Sequence, residues 1–115
     1  DFDVHHGNGT QDIFWSDANM FYGSTHQMPL YPGTGSPSER GEKDTFVNVP
    51  LRPNDDGEVF REAFETGILS RLEAFRPDVI VISAGFDGHR ADPITDRGLT
   101  AADYGDLVAE GIIAR

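Results

Sequence analysis

The feature that most constrains the fold is a run of β-branched residues, Val79-Ile80-Val81-Ile82, between Asp78 and Ser83. A continuous apolar run of this length is typical of a strand that is buried on both faces of a parallel sheet. With 115 residues, the chain has room for about one core around such a strand. The run therefore predicts a layered α/β fold with a mainly parallel sheet.

The rest of the chain alternates between strand and helix patterns. Predicted strands are Asp1–His6, Met20–Ser24 and Phe46–Leu51, and predicted helices are Thr10–Asp17, a segment with apolar residues at 60, 64, 68, 72 and 75, and a last helix after Thr100. We expect Thr100 to cap that last helix with Asp103, and Leu99 to pack on Tyr104. Segments 29–44 and 85–98 are rich in Gly, Pro and polar residues, which predicts long loops.

The charge balance and the absence of cysteine narrow the possible functions. Nine basic residues against 20 acidic ones give a net charge of -11, which disfavours direct binding of nucleic acid. Without cysteine, any metal must bind to oxygen and nitrogen ligands. No apolar run approaches the roughly 18 residues of a membrane span. We therefore expect no membrane partner and a cytoplasmic location, in a chain that starts at Asp1 as a piece of a longer protein.

Polar residues at two predicted strand ends have the chemistry of a metal site. Asp3 and His5 are two residues apart, so on a strand they share one face, and Asp87 follows the β-branched run. In a parallel sheet, ligands bind beyond the carboxyl ends of the strands. Two carboxylates and one imidazole suit Zn²⁺, with Fe²⁺ or Mn²⁺ as alternatives. A hydrogen-bonded loop pair is the other interpretation of the Asp-x-His pattern.

Five motifs in order carry a family resemblance: DFDVHHGNGTQ, STH, YPGTG, NVPL and SAGFDGHRADP. Together they closely resemble the histone deacetylase family, including bacterial members such as acetylpolyamine amidohydrolases and acetoin-utilisation proteins. The resemblance covers essentially the whole chain. It implies a three-layer α/β/α, arginase/deacetylase-like fold, of which residues 1–115 are the central fragment of a single catalytic domain.

The resemblance also implies roles for individual residues. Asp3, His5 and Asp87 match the zinc ligands, whereas Asp1 and Asn8 match residues that orient a catalytic His pair absent from this chain. Tyr31 matches an aromatic wall of the acyl-lysine channel. Family members also bind K⁺, and one such site matches Asp1, Asp3, His5, Ser24 and Thr25, a second Phe14, Asp17, Met20 and Thr45.

The implied activity of the parent protein is zinc-dependent hydrolysis of an acetylated amine, either acetyl-lysine or an acetylated polyamine. We expect this segment alone to be inactive, because it lacks the His pair and a downstream tyrosine that polarises the carbonyl. Two alternatives stay open: a non-catalytic metal- or partner-binding module, and an arginase-like hydrolase with two metals. Oligomerisation through open sheet edges is also left open.

Overall fold

The computed structural model describes residues 1–95 and 98–109. Its helices and strands, in chain order, are α1 (Asn8–Phe14), β1 (Tyr22–Gln27), β2 (Phe46–Leu51), α2 (Gly57–Ala63), a π-helical segment (Phe64–Leu69), α3 (Ser70–Phe75) and α4 (Ala101–Asp106). β1 and β2 pair in parallel, with Tyr22 opposite Phe46 and Gln27 opposite Leu51. A parallel sheet with helices agrees with the predicted α/β class.

The sheet was predicted well at β2 and less well at β1. The bounds of β2 are those expected from the sequence, although Pro50 lies inside the strand, opposite His26, and only Pro53 follows its end. β1 begins at Tyr22, two residues later than predicted, and continues to Gln27. The last four residues of β1 have buried polar side chains, which a search for apolar patterns does not detect: Ser24, Thr25, His26 and Gln27.

The predicted long helix forms in three consecutive pieces, α2, the π-helical segment and α3. Asp56 caps its start by accepting hydrogen bonds from the backbone N–H groups of Glu58 and Val59. Its end is at Phe75, where Arg76 adopts a left-handed conformation with φ of 57° and Pro77 follows. The buried side chains of this helix are the core of the molecule, together with residues from β2, the first segment and the region of α4: Phe2, Leu51, Phe60, Phe64, Ile68, Leu69, Leu99, Tyr104 and Leu107.

The two remaining helices differ from expectation in their bounds. α1 begins at Asn8 instead of Thr10, so the Gly7-Asn8-Gly9 segment starts the helix and does not break it. α4 has the predicted capping box, since Thr100 and Asp103 bond each other's backbone N–H. Leu99 and Tyr104 both belong to the core, as expected. The predicted continuation of α4 to the chain end lies outside the described residues after position 109.

The prediction of a strand at Asp1–His6 is wrong. The backbone N–H groups of Asp3, Val4 and His5 donate to the carboxylates of Asp1, Asp87 and Asp3, respectively. Amides that bond to side chains cannot extend a strand ladder. The segment therefore lies beside β1 through three backbone bonds, Asp1 N to Gly23 O, Thr25 N to Asp1 O and Gln27 N to Val4 O, without forming a regular strand.

The prediction of a doubly buried strand at Asp78–Ser83 is also wrong for this chain. The segment has no strand assignment, and Val79 and Val81 are 76% and 85% exposed. Among the described residues, its backbone joins the rest of the molecule through the bond from Phe2 N to Ser83 O. Because the neighbouring segment uses its N–H groups on carboxylates, the run has no regular ladder to join.

Candidate metal centre

Asp3, His5 and Asp87 come together as the sequence predicts. One possible ligand atom from each lies within 4.8 Å of the others. Nδ1 of His5 is 3.1 Å from Oδ1 of Asp3 and 2.9 Å from Oδ2 of Asp87. Two carboxylates that converge on one imidazole nitrogen repel each other unless a cation or a proton lies between them. The donor set, with two oxygens and one nitrogen, fits Zn²⁺.

Backbone amides fix the orientation of the two carboxylates. His5 N donates to Oδ1 of Asp3 over 2.7 Å, and Val4 N donates to Oδ1 of Asp87 over 2.9 Å. The bond to Asp87 crosses 83 positions of the sequence and joins the two halves of the site. The three side chains are partly exposed, between 27% and 37%, so an ion and a small molecule have access to them.

A glycine makes the close approach of the two segments possible. A Cβ added to Gly85 would lie 2.3 Å from Oδ2 of Asp3, and Gly85 has a φ of 34°, which side-chain-bearing residues rarely adopt. Gly85 was not among the predicted site residues. Its position two residues before the predicted ligand Asp87 is the signal that could have indicated it.

Asp1 positions the segment that carries the ligands. Its Oδ1 accepts from Asp3 N, and its Oδ2 accepts from the hydroxyl of Tyr22. Burial raises the pKa of Tyr22, so the phenol stays a donor. Asn8, the second residue predicted to orient a histidine, is exposed at the start of α1.

The two predicted K⁺ sites lie at β1 and in the turn after α1, respectively. In the first, Thr25 N donates to Asp1 O, which brings the end of β1 beside the ligand segment. Ser24 Oγ bonds His26 Nδ1, and Oγ1 of Thr25 is buried with no hydrogen-bond partner among the described residues. A buried, unpaired oxygen is compatible with a cation ligand.

The second predicted set forms a tight turn next to the sheet. Asp17 N donates to Phe14 O, and Met20 N donates to Asp17 O. Tyr22 N donates to Thr45 O, which brings Thr45 beside that turn. Oγ1 of Thr45 is also buried without a partner in the described part of the chain.

Tyr31 lies in the 29–44 loop, within a turn closed by a bond from Gly33 N to Leu30 O. Its side chain is 80% exposed. The segment after this turn, Thr34–Ser36, packs on His6, whose Nδ1 is 2.8 Å from Oγ1 of Thr34.

A buried polar network beside the metal ligands was not predicted. It joins α1, β2 and the 29–44 loop through hydrogen bonds among His6, Gln11, Thr34, Glu39 and Asn48. Burial lowers the pKa of His6 by more than its bond to Gln11 raises it, so its ring is neutral at neutral pH. The sequence carries no direct signal for this network, since Gln, Glu and Asn are ordinarily surface residues.

No helix in residues 1–95 or 98–109 has the length and apolarity to cross a bilayer.

Comparisons with known proteins identify the family to which the chain is similar. Residues 1–112 match the family model described as histone deacetylase domain. A probable deacetylase of Archaeoglobus fulgidus is 45% identical over 97% of this chain and 32% of its own length. Histone deacetylase 14, chloroplastic, of Arabidopsis thaliana is 44% identical over 96% of this chain and 27% of its own. The chain thus spans about a third or less of these relatives.

Solved structures have the same fold. The crystal structure of the HDA15 HD domain superposes with a TM-score of 0.89 at 38% identity, over 94% of this chain and 33% of that one. An acetylpolyamine aminohydrolase from Burkholderia pseudomallei superposes with a TM-score of 0.85 at 35% identity, over 92% of this chain and 32% of that one. The chain belongs to the histone deacetylase family.

Proposed function

We propose that the protein carrying this chain is a zinc-dependent deacetylase, and that this chain supplies the metal ligands Asp3, His5 and Asp87. The observation that carries the proposal is the convergence of these three donors within 4.8 Å, on backbone that their own carboxylates help to fix. When bound there, zinc would supply Lewis acidity toward an amide carbonyl. The reaction adds water and breaks the amide C–N bond, which releases acetate and an amine.

Within this chain, we assign the side chains of Asp3, His5 and Asp87 to metal binding and not to proton transfer. His5 faces both carboxylates, and His6 and His26 are buried in hydrogen bonds away from the open face. His89 accepts a bond from Ala91 N. None of the four histidines is placed as a general base, which supports the expectation that residues 1–115 alone do not turn over substrate.

We further propose that residues 1–115 are the central part of a single catalytic domain. The exposed apolar side chains of Val79 and Val81 support this proposal, because an isolated domain seldom exposes such a run. The share of each relative that the chain covers, about a third or less, also supports it.

For the substrate we propose an acetylated amine, acetyl-lysine or an acetylated polyamine. The net charge of -11 favours the approach of cationic molecules, such as an acetylated polyamine with free amines or a basic segment that contains acetyl-lysine. Tyr31, exposed on the loop that packs beside His6, is the aromatic wall proposed for the acyl chain. The structural relative named as an acetylpolyamine aminohydrolase also fits this substrate class. K⁺ at the two predicted sites is part of the proposal and is supported by the buried, unpaired oxygens of Thr25 and Thr45.

The test uses the natural protein that carries this chain, with an acetyl-lysine peptide and an acetylated diamine as substrates. Removal of metal by a chelator should abolish turnover of the better substrate, and added Zn²⁺ should restore it. Asp87→Asn should lose turnover, whereas Asp78→Asn, at an exposed carboxylate, should keep it. Undiminished turnover by the metal-free protein would rule out the proposal.

A further inference from the structure

The turn Thr34–Ser36 is held more firmly than its loop composition suggests. His6 bonds the hydroxyl of Thr34, and Nε2 of His26 donates to Gly35 O over 2.9 Å. The two imidazole rings are 4.8 Å apart and enclose Gly35. Gly35 is itself buried. This short turn therefore has one well-defined position relative to the segment that carries His5.

Glu39 completes the turn from its other side. Its Oε2 accepts from the N–H groups of Gly35, over 2.8 Å, and of Ser36, and its Oε1 accepts from Nε2 of Gln11 over 2.9 Å. Burial raises the pKa of Glu39, but these hydrogen bonds outweigh it and the net pKa is lowered. An ionised carboxylate with three donors forms stronger bonds than a neutral acceptor.

The donors and acceptors of Gln11 are fixed by its neighbours. Because Nε2 of Gln11 faces the Glu39 carboxylate, its Oε1 must face the other way, where it accepts from Asn48 over 2.7 Å and from His6 over 3.1 Å. The bond to His6 makes Nε2 the protonated nitrogen of that ring, so Nδ1 accepts from the Thr34 hydroxyl. A continuous chain of directed bonds thus links Glu39 to the residue next to the proposed ligand His5.

Tyr31 depends on this anchor. Its ring is 80% exposed, so its own packing does little to hold it. Its turn, Leu30–Gly33, runs directly into Thr34–Ser36. The place of the turn that carries Tyr31 is therefore set by the bonds to Thr34, Gly35 and Ser36.

We propose that Glu39 is a positioning residue for substrate binding, which, with Gln11, fixes the Thr34–Ser36 turn and thereby the loop that carries Tyr31. This inference rests on the proposed function, because it assigns Tyr31 to the acyl chain of the substrate. It predicts that changes at position 39 weaken substrate binding without removing the metal.

The test is a swap of the two complementary groups in the natural protein that carries this chain. Glu39→Gln turns an amide N–H toward the N–H of Gln11, and Gln11→Glu turns a carboxylate toward the Glu39 carboxylate. The double variant restores one donor facing one acceptor. With an acetyl-lysine peptide, we expect KM to rise about tenfold in each single variant, the loss of roughly one charge-assisted hydrogen bond. In the double variant, KM should return to within about threefold of the wild type.

The same series separates positioning from stability alone. We expect kcat and zinc content to stay near wild-type values, and the amides of Gly35 and Ser36 to exchange hydrogen faster in the single variants. Glu42→Gln, the same change at an exposed position of the loop, is the control and should leave KM and exchange unchanged. Single variants that lower Tm but leave KM unchanged would overturn the inference.

Failure of the proposed function gives a different result. A wild-type protein without turnover refutes the deacetylase proposal, and Kd for the same peptide then takes the place of KM. The inference fails if that Kd, or the exchange of the two loop amides, is the same in wild type and Glu39→Gln.

Discussion

At the scale of single residues, two glycines allow polar side chains to meet that ordinary residues would keep apart. Gly85 admits the carboxylate of Asp3 and thereby lets the two halves of the metal centre close. Gly35 admits the rings of His6 and His26 against the 29–44 loop. Because neither glycine has a side chain, each leaves the space in which these functional groups come together.

Gly35→Ala should destabilise the protein more than Gly33→Ala. Both residues have a positive φ, 92° and 82°, so both substitutions incur similar backbone strain of about 1–2 kcal/mol. A Cβ at position 35 would also lie 2.4 Å from Nε2 of His26, whereas a Cβ at position 33 meets nothing within 4 Å. Thermal unfolding of the two variants checks this, and equal Tm values would contradict the steric account.

The sequence predicted that Asp3, His5 and Asp87 come together, but not the network around them. Their residue types and spacing led to that prediction, although neither segment that carries them is a regular strand, and bonds from backbone amides to their carboxylates hold them in place instead. Gln11 and Glu39 have no such pattern. Their burial depends on how α1, β2 and the 29–44 loop pack, which is a tertiary property that local periodicity does not contain.

At the scale of elements, the helical pattern predicted a helix correctly but not its local form. The apolar positions 60, 64, 68 and 72 repeat every four residues, whereas an α-helix turns once in 3.6. Side chains spaced by four residues would therefore rotate gradually around the surface of an α-helix. The π-helical segment has more residues per turn, which reduces this rotation. Phe60, Phe64 and Ile68 consequently remain on the buried face.

Strand patterns were less reliable because a strand needs a partner. Phe46–Leu51 pairs with β1 and was predicted correctly. Asp1–His6 has an alternating pattern but bonds its amides to carboxylates, and Val79–Ile82 then lacks a regular neighbour. A pattern in one segment does not record what the adjacent segment does with its hydrogen bonds.

Asp56→Ala should destabilise the long helix at its start. The Asp56 carboxylate accepts from the N–H groups of Glu58 and Val59, both over 3.1 Å, and loss of such a cap typically costs about 1 kcal/mol. Glu65→Ala removes an exposed carboxylate from the same helical unit and serves as the control. A shift in the denaturation midpoint of Asp56→Ala no larger than that of Glu65→Ala would contradict this assignment.

At the scale of the whole molecule, residues 1–95 and 98–109 contain one core and one candidate metal-ligand cluster, on a chain that matches about a third or less of its relatives' length. The core packs the long helix on β2 and on the segment that carries Asp3 and His5. Packing of Phe2 against Phe60 and Phe64, with ring centroids 6.1 and 5.4 Å apart, holds that segment in place. The core thus directly supports the segment that carries the proposed zinc ligands Asp3 and His5.

X-ray absorption at the zinc edge, on the natural protein that carries this chain, tests whether Asp3, His5 and Asp87 bind one zinc ion. We expect one zinc per chain with only oxygen and nitrogen ligands at about 2.0–2.2 Å, one imidazole among them, and no second transition metal nearby. His5→Ala should remove the imidazole signal and weaken zinc binding beyond the roughly 10- to 100-fold typical of losing an outer-shell partner. A spectrum with two neighbouring transition metals, or an imidazole signal unchanged in His5→Ala, would contradict a single zinc site.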